Sequence, residues 1–300
     1  MVRGSHQGES HGGVYLLDLE SRSVRQKLDW NTLDIDWAGR GADRGLRGIA
    51  FDGDVVYIAA SDELFAYTPE FEPIGSWRNK YLKHCHEIAV YDRTLYLAST
   101  GYDSILGFCL DRREFYWALH IDIQNFKFRR AIYDPQGDEG PLLLNKLHIN
   151  SVFCDRNGMY ISGLKTGGML HYNGDTVLMA VELPPGTHNA RPFRDGVLFN
   201  DSVADRLRYT ERGEGTGDRA MAVPLYNPRD LRKQNLDDTR IARQGFARGL
   251  CVLSDTAVAG GSSPSTISVY DLAANETLLS VNLTMDVRNA IHGLEVWPYA

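Results

Sequence analysis

Three histidines, His86, His188 and His292, stand at matching positions, each at the start of a short apolar segment. The chain has nine histidines in 300 residues, so six such positions should together hold about 0.2 histidine by composition alone. Imidazoles that converge from three sides are the ligands of an open metal site, whose fourth position is left for water or substrate. Neutral imidazole binds zinc, iron, copper or nickel. We therefore expect these three residues to hold a divalent transition metal, with zinc or iron ahead of copper.

The remaining three matching positions hold Arg47, Asn150 and Arg248. Two guanidinium groups attract an anion and can bind a carboxylate bidentately. We expect Arg47 and Arg248 to bind the substrate and Asn150 to act in catalysis, where it would orient water or an oxyanion. The two cations oppose a divalent metal unless metal and arginines share an anionic ligand.

Three neighbouring residues complete the predicted site. His84 and His148 each stand two residues before a matching position, and Glu87 directly follows His86. We expect His84 to contact the substrate, and His148 and Glu87 to take part in catalysis as proton donors or acceptors. Each of them is also a residue type that is common on solvated loops.

Two functions remain open on these residues. The first is a metal-dependent enzyme that acts on a small anionic, carboxylate-bearing molecule: a hydrolase or lyase if the metal is zinc, because zinc activates water, or an oxygenase if it is iron or copper. The alternative is a metal-free small-molecule enzyme or ligand-binding protein, in which a histidine acts as acid or base and Arg47 and Arg248 anchor the anion. A protein-interaction scaffold would not need a matched set of titratable groups, so the sequence favours an enzyme.

The same pattern follows five of the six positions: a polar residue, a short apolar strand, a turn, and a second apolar strand that begins nine residues after the polar one; at the sixth, His292, only the first strand is present. The segments that share it are RGIAFDGDVVYIAAS (47–61), HEIAVYDRTLYLAST (86–100), NSVFCDRNGMYISGL (150–164), HNARPFRDGVLFNDS (188–202), RGLCVLSDTAVAGGS (248–262) and the shorter HGLEVWPYA (292–300). Third and fourth strands follow, as in SILGFCL (104–110) and EFYWALHI (114–121). Four strands in a repeat of about 40 residues form a propeller blade.

The last repeat has a single strand before the chain ends, and its missing strands are found in residues 1–30, as in GGVYLLDLE (12–20) and SVRQKLDW (23–30). The sequence thus predicts an all-β, six-bladed β-propeller as a single domain over residues 1–300, whose last blade is closed by N- and C-terminal strands. The expected blades start near 47, 86, 150, 188, 248, and 292–300 plus 1–30. Because the first strand of each blade lines the central channel, the six polar residues should form a ring at its mouth.

Three connections are longer than the others: residues 31–46, 122–147 and 226–247. All three precede an inner strand, so they should emerge on the face that carries the ring. Long connections are often lids or binding loops, and surface decoration without function is the alternative.

Composition excludes several classes of partner. The formal net charge of −7 and the absence of a basic run argue against nucleic acid. No stretch of 18 apolar residues is present, so we expect no membrane span. Residues 1–13 lack an apolar signal segment, and the four cysteines Cys85, Cys109, Cys154 and Cys251 form no CxxC pair. We expect a cytoplasmic protein with reduced cysteines, and the sequence leaves its oligomeric state open.

Two segments carry a resemblance to known proteins. HNARPFRDGVLFNDS (188–202) and FARGLCVLSDTAVAGGSS (246–263) resemble an uncharacterised bacterial family of conserved hypothetical β-propellers, over the last four blades. More distantly, the six-blade layout is similar to the gluconolactonase and strictosidine-synthase-like propellers. The resemblance implies the architecture and no particular activity. The acidic and Asn calcium ligands of the gluconolactonases have no counterpart in the predicted ring.

Overall fold

The computed structural model describes residues 2, 12–30, 45–212, 217–232 and 243–299. Regular structure in these residues is antiparallel β-sheet, apart from a 3-10 turn at Thr100–Tyr102. Within the described ranges, no helix is long and apolar enough to cross a membrane. The expected all-β propeller is confirmed.

Five sheets of four or five strands form the blades, and a sixth sheet has two strands. The two-stranded sheet comprises β1 (Gly13–Leu17) and β2 (Val24–Asp29). Blade 1 comprises β3 (Ile49–Asp52), β4 (Val55–Ala59), β5 (Glu63–Tyr67) and β6 (Pro73–Arg78). Blade 2 comprises β7 (Cys85–Tyr91), β8 (Thr94–Ser99), β9 (Ser104–Cys109), β10 (Glu114–Gln124) and β11 (Lys127–Tyr133).

The remaining blades each have four strands. Blade 3 comprises β12 (Ile149–Asp155), β13 (Gly158–Gly163), β14 (Gly168–Tyr172) and β15 (Val177–Glu182). Blade 4 comprises β16 (Thr187–Phe193), β17 (Gly196–Asp201), β18 (Arg206–Glu211) and β19 (Arg219–Ala222). Blade 5 comprises β20 (Leu250–Val252), β21 (Ala257–Ser262), β22 (Thr266–Asp271) and β23 (Glu276–Asn282). In every blade the strands pair in chain order.

The core lies between blades. The middle strands are buried on both faces, so they are continuous apolar runs: every residue of β9 is buried, whereas the outer strand β15 is largely exposed. Residues that share an apolar cluster across successive blades include Leu64 and Leu97, Ile105 and Ile161, Met169 and Phe199, and Leu207 and Val258.

The two-stranded sheet lies between blade 5 and blade 1. Val14 and Trp30 share an apolar cluster with Val56 of blade 1, and Leu19 packs against the Cys251 cluster of blade 5. Its strands therefore occupy the position that the sequence predicted for the outer half of a sixth blade.

Among the described residues the structure shows five complete blades instead of the expected six, and closure of the last blade by both termini is not seen there. Residues 291–299 form no strand among the described residues, and a single antiparallel bridge joins Val2 to Asn289. One bridge is not a ladder, and Pro298 has no N–H to donate to one. The strand predicted to pair with this segment is residues 1–3, of which only Val2 is among the described residues.

The C-terminal segment nevertheless runs beside two inner strands. A Cβ on Gly293 would lie 2.1 Å from the Arg47 carbonyl oxygen, and a Cβ on Gly249 would lie 3.2 Å from the His292 carbonyl oxygen. The segment thus passes between the inner strands of blades 5 and 1, which brings His292 close to Arg47 and Arg248.

One of the three long connections is partly strand. Residues 122–147 contain the end of β10 and all of β11, which returns along β10. Asn125 and Phe126 both have positive φ, the conformation that a two-residue hairpin turn requires. Residues 31–44 and 233–242 of the other two connections lie outside the described residues.

Candidate functional site

The inner strands carry a bulge at the matching position. Between the pairs Cys85–Ser99 and Ile88–Leu97, strand β7 has one residue more than β8. Strand β16 has the same extra residue relative to β17, and β12 shows a register shift at the equivalent place. An extra residue breaks the alternation of side chains between the two faces of a strand. Two consecutive side chains of each strand can therefore reach the channel.

The structure brings the six predicted residues together in a group that we call the channel ring. All six are buried: Arg47, His86, Asn150, His188, Arg248 and His292. The His86 ring centroid is 6.4 Å from that of His188 and 6.0 Å from that of His292. All but Arg47 line one narrow cavity, the constriction, which has room for about one water molecule.

His86 is held in one tautomer by its neighbours. Its Nδ1 lies 2.7 Å from the His84 carbonyl oxygen and 2.7 Å from the Thr100 hydroxyl. Because the Thr100 hydroxyl donates to the Ile149 carbonyl, it accepts from Nδ1. This network assigns the proton to Nδ1 and leaves Nε2 as an acceptor.

His188 repeats the arrangement two blades further on. Its Nδ1 lies 3.1 Å from the Gly186 carbonyl oxygen and 2.8 Å from the Ser202 hydroxyl. The Ser202 hydroxyl donates to the Ala247 carbonyl at 2.8 Å. In both histidines, a carbonyl two residues earlier and a hydroxyl 14 residues later fix the ring.

The two arginines donate to imidazole nitrogens. Arg47 Nη1 lies 2.9 Å from His86 Nδ1 and 3.1 Å from its Nε2, and Arg248 Nη1 lies 3.2 Å from His292 Nε2. The Arg248 guanidinium also stacks on Phe246, with Cζ 4.4 Å from the ring centroid. Two of the three imidazole acceptors of the ring are thus engaged by cationic donors.

This environment keeps the histidines neutral. Burial, followed by the charges of Arg47, His148, Arg248 and His188, holds the pKa of His86 well below its usual value. Burial, then Arg248 and Arg47, lowers the pKa of His148 to about 3. Burial, then Arg47, lowers the pKa of His84 to about 4. At neutral pH these imidazoles are hydrogen-bonding groups and not charges.

Asn150 contributes an acceptor to the constriction. Its Nδ2 donates to the Thr187 carbonyl at 3.1 Å. Its Oδ1 is buried and has no hydrogen-bond partner in the part of the chain that the structure describes. A buried oxygen of this kind favours a ligand or water that can donate to it.

His84 and His148 lie before the ring along their chain segments. The His148 ring centroid is 5.5 Å from that of His86, and His148 Nδ1 lies 3.0 Å from Asn145 Oδ1. Both residues have positive φ, so they are parts of tight turns. The structure thus adds His148 to the ring histidines and places the His84 carbonyl, more than its imidazole, in contact with them.

Glu87 lies on the other side of the constriction. It lines the constriction and also a second cavity of about 230 Å³, which we call the carboxyl cavity. The polar residues of that cavity are Glu87, Ser151, Asn189, Arg191 and Glu295. Since they follow the ring residues along the inner strands, the carboxyl cavity is further along the channel than the ring.

Sequence reasoning missed several of these residues, although the repeat contained a signal for them. The hydroxyls that fix His86 and His188 both stand 14 residues after the histidine. The residue after each ring position is Gly48, Glu87, Ser151, Asn189, Gly249 or Gly293. Glycine and asparagine at that point are typical of a bulge, and a bulge exposes one more side chain to the channel. No comparable signal marks Arg191.

The imidazole nitrogens of the ring have some of the properties of a metal site. Fixed tautomers with Nε2 as acceptor are what a metal needs. However, the guanidinium groups of Arg47 and Arg248 lie at two of those nitrogens, where a metal would bind. No group of three or more His, Cys, Asp or Glu side chains within the described ranges is arranged to hold a metal. In this arrangement a guanidinium group lies beside the imidazole nitrogens of two of the three predicted ligands, His86 and His292.

Comparisons with known proteins bear on the fold. No protein-family model and no curated protein matches the chain. A solved structure of a nidogen/laminin complex is similar, with 12% identity, a TM-score of 0.58 and coverage of 95% of both chains. The RRP9 WD40 repeats are similar at 10% identity and a TM-score of 0.50 over 81% of this chain. The chain spans 65% of the length of the RRP9 chain. Likeness at these identities shows the β-propeller fold alone.

Proposed function

We propose that the channel ring binds the anionic group of a small molecule, a carboxylate in the first place, and that it does so without a metal. The observation that carries this proposal is the contact of each guanidinium with an imidazole nitrogen, at 3.1 and 3.2 Å. These contacts concentrate positive charge at the buried channel ring, and Arg248 also lines the constriction. Guanidinium groups so placed are suited to bind a carboxylate bidentately.

The electrostatics of the histidines support an anion as the ligand. All the charged groups that lower the pKa of His86 are cationic, and the same holds for His148. A bound anion would oppose these charges and raise both pKa values. Anion binding is therefore coupled to proton uptake, and the affinity should increase as the pH falls.

Each residue then has a role that its contacts allow. Arg47 and Arg248 anchor the anion, and the Asn150 Oδ1 accepts a hydrogen bond from the ligand or from water. A neutral imidazole, His148 in the first place, accepts a proton from the bound molecule. With these roles the protein is a small-molecule enzyme, or a binding protein if no reaction follows.

The test is the loss of anion binding in Arg248→Gln. Isothermal titration calorimetry with pentanoate and with inorganic phosphate should show binding to the unchanged protein and a loss of about tenfold or more in the variant. Arg112→Gln is the matched control, since Arg112 is exposed and pairs with Glu114. Equal affinities in Arg248→Gln and in the unchanged protein, with both folded by circular dichroism, would remove the proposal.

A second candidate is the metal-dependent enzyme that the sequence predicted, with His86, His188 and His292 as ligands. The observation in its favour is the double anchoring of Nδ1 in His86 and His188, which is usual for metal-bound histidine. It requires Arg47 and Arg248 to turn away from the imidazoles. Elemental analysis by mass spectrometry of protein purified without a histidine tag decides: stoichiometric zinc, iron or copper that is lost in His188→Ala would favour this candidate over the first.

We further propose that residues 292–299 and the N-terminal residues complete a sixth blade around the two-stranded sheet. The packing of that sheet between blades 5 and 1 supports this. Membership of the bacterial propeller family that residues 188–202 and 246–263 resemble is part of the same proposal.

The remaining proposals concern the cellular location and the binding partner of the protein. We propose a cytoplasmic location, supported by four free cysteines. We propose a small anionic molecule as the partner, supported by the two arginines of the ring, in place of nucleic acid, which the net charge of −7 disfavours, or membrane.

A further inference from the structure

The carboxyl cavity has a different chemistry from the ring, although the same inner strands build both. It has a volume of about 230 Å³, which is enough for a small organic molecule. Its polar side chains carry both signs of charge, from Glu87, Glu295 and Arg191. Phe51, Val152 and Phe153 supply apolar wall between them.

Glu87 is held in place by a fixed amide. Asn189 Nδ2 donates to Glu87 Oε1. The orientation of the Asn189 amide is determined by two donors, because its Oδ1 accepts from Asn200 Nδ2 and from the Gly249 N–H, both at 3.0 Å. The amide must therefore turn its nitrogen to Glu87, which holds one carboxylate at a defined position in the wall.

Arg191 and Glu295 face the same cavity, and among the described residues their charged ends form no ion pair. In the part of the chain that the structure describes, no carboxylate oxygen lies within 4.0 Å of the Arg191 guanidinium, and the guanidinium makes no hydrogen bond, although the Arg191 main chain pairs with Leu198 in the sheet. Its guanidinium stacks on Phe153, with Cζ 5.1 Å from the ring centroid. This stacking orients a planar five-donor group beside two carboxyl groups without pairing it to either.

We propose that the carboxyl cavity is a second ligand site and that it takes a small zwitterion, with an ammonium and a carboxylate on one short apolar skeleton, as in a free amino acid. Glu87 and Glu295 bind the ammonium. Arg191 binds the carboxylate, and the apolar wall packs against the skeleton. The site does not depend on anion binding at the ring, because none of its charged residues belongs to the ring.

The experiment compares matched ligands that carry one or both charges. L-norvaline is compared with pentanoate and butylamine, each of which carries only one of its two charges. L-alanine and L-phenylalanine are compared in the same way with their corresponding acids and amines. Saturation-transfer NMR and isothermal titration calorimetry on the full chain should show at least one amino acid binding about tenfold or more tightly than both of its counterparts.

Variants separate the two sites. Arg191→Gln and Glu295→Gln should each weaken amino-acid binding about tenfold and leave pentanoate binding at the ring unchanged, whereas Arg248→Gln should do the opposite. Arg194→Gln, on an exposed turn of the same blade, is the matched control. The proposal is overturned if no amino acid binds more tightly than its single-charge counterparts. It is also overturned if Arg191→Gln binds the amino acid as well as Arg194→Gln does.

Discussion

The channel ring and the carboxyl cavity are consecutive along the same inner strands, yet their charges are opposite in kind. The ring combines Arg47 and Arg248 with three imidazoles, whereas the carboxyl cavity has Glu87 and Glu295 around one arginine. The constriction lies between them and is lined by residues of both.

The bulge explains how two sites fit into one channel. In a regular strand, the residues next to His86 and His188 would point away from the channel. The extra residue in β7 and β16 lets Glu87 and Asn189 line the constriction together with the histidines. One strand therefore supplies a basic group to one site and an acidic or amide group to the next.

The largest effect should come from Gly293→Ala, because Gly293 lies between a residue of each site, His292 and Glu295. The added Cβ would meet the Arg47 carbonyl oxygen at 2.1 Å, so the two inner segments must move apart. We expect a loss of about 3 kcal/mol in the free energy of unfolding by urea titration, and weaker binding at both sites.

Gly75→Ala is the control for that change, because its Cβ would meet no atom closer than 3.4 Å. It should alter the free energy of unfolding by about 0.5 kcal/mol or less. If Gly293→Ala behaved like Gly75→Ala, the close approach of the C-terminal segment to blade 1 would be wrong, and so would the placement of His292 in the ring.

A smaller effect is expected from Asn189→Ala, which acts on the carboxyl cavity through Glu87. It removes the amide that donates to Glu87 and accepts from Asn200 and Gly249. We expect a loss of about 2 kcal/mol in the free energy of unfolding, together with weaker amino-acid binding measured by calorimetry.

Asn275→Ala separates the hydrogen bonds from backbone strain, since Asn275 also has positive φ and lies in an exposed turn. In Asn275→Ala, the loss in the free energy of unfolding should include only the part that comes from placing alanine at a positive φ. An equal loss in the two variants would show that the Asn189 amide does not hold Glu87.

The sequence was sufficient to predict the β-propeller, because the repeat places a polar residue, two strands and their turn at constant spacing. It also identified all six residues of the ring, since they occupy one position of that repeat. It was not sufficient for the number of complete blades, because residues 292–299 have strand-like composition but no partner ladder among the described residues.

The two-site character of the channel was beyond the sequence for a physical reason. The extra residue of β7 in its pairing with β8 decides which face of the sheet the Glu87 side chain reaches. Strand register depends on both paired strands, so it cannot be read from the sequence of one strand. Arg191 and Glu295 come from different segments and meet only across the channel. The contact of Arg47 and Arg248 with the imidazole nitrogens, which opposes a metal, likewise depends on side-chain geometry and not on spacing.

The pH dependence of the stability should distinguish the two sites by its sign. The pKa of His148 is lowered to about 3 by burial and by Arg248 and Arg47. Between pH 6.5 and 3 the unfolded chain therefore binds a proton that the folded protein does not, and stability falls on acidification, by at most about 1.4 kcal/mol per pH unit. His148→Gln should make the loss of urea stability between pH 7 and pH 4.5 shallower.

Glu295 should change the pH dependence of the free energy of unfolding in the direction opposite to His148. Burial raises its pKa to about 7, with Arg191 opposing and Glu87 adding to the shift. Between pH 4.5 and 7 the folded protein holds a proton that the unfolded chain has lost, so acidification over this range is stabilising. Glu295→Gln removes this contribution, and the loss of stability on acidification should become steeper. Glu295 is exposed to solvent, so the change should be smaller than that of His148→Gln. Slopes that changed in the same direction in both variants would mean that the two ends of the channel do not differ in charge as described.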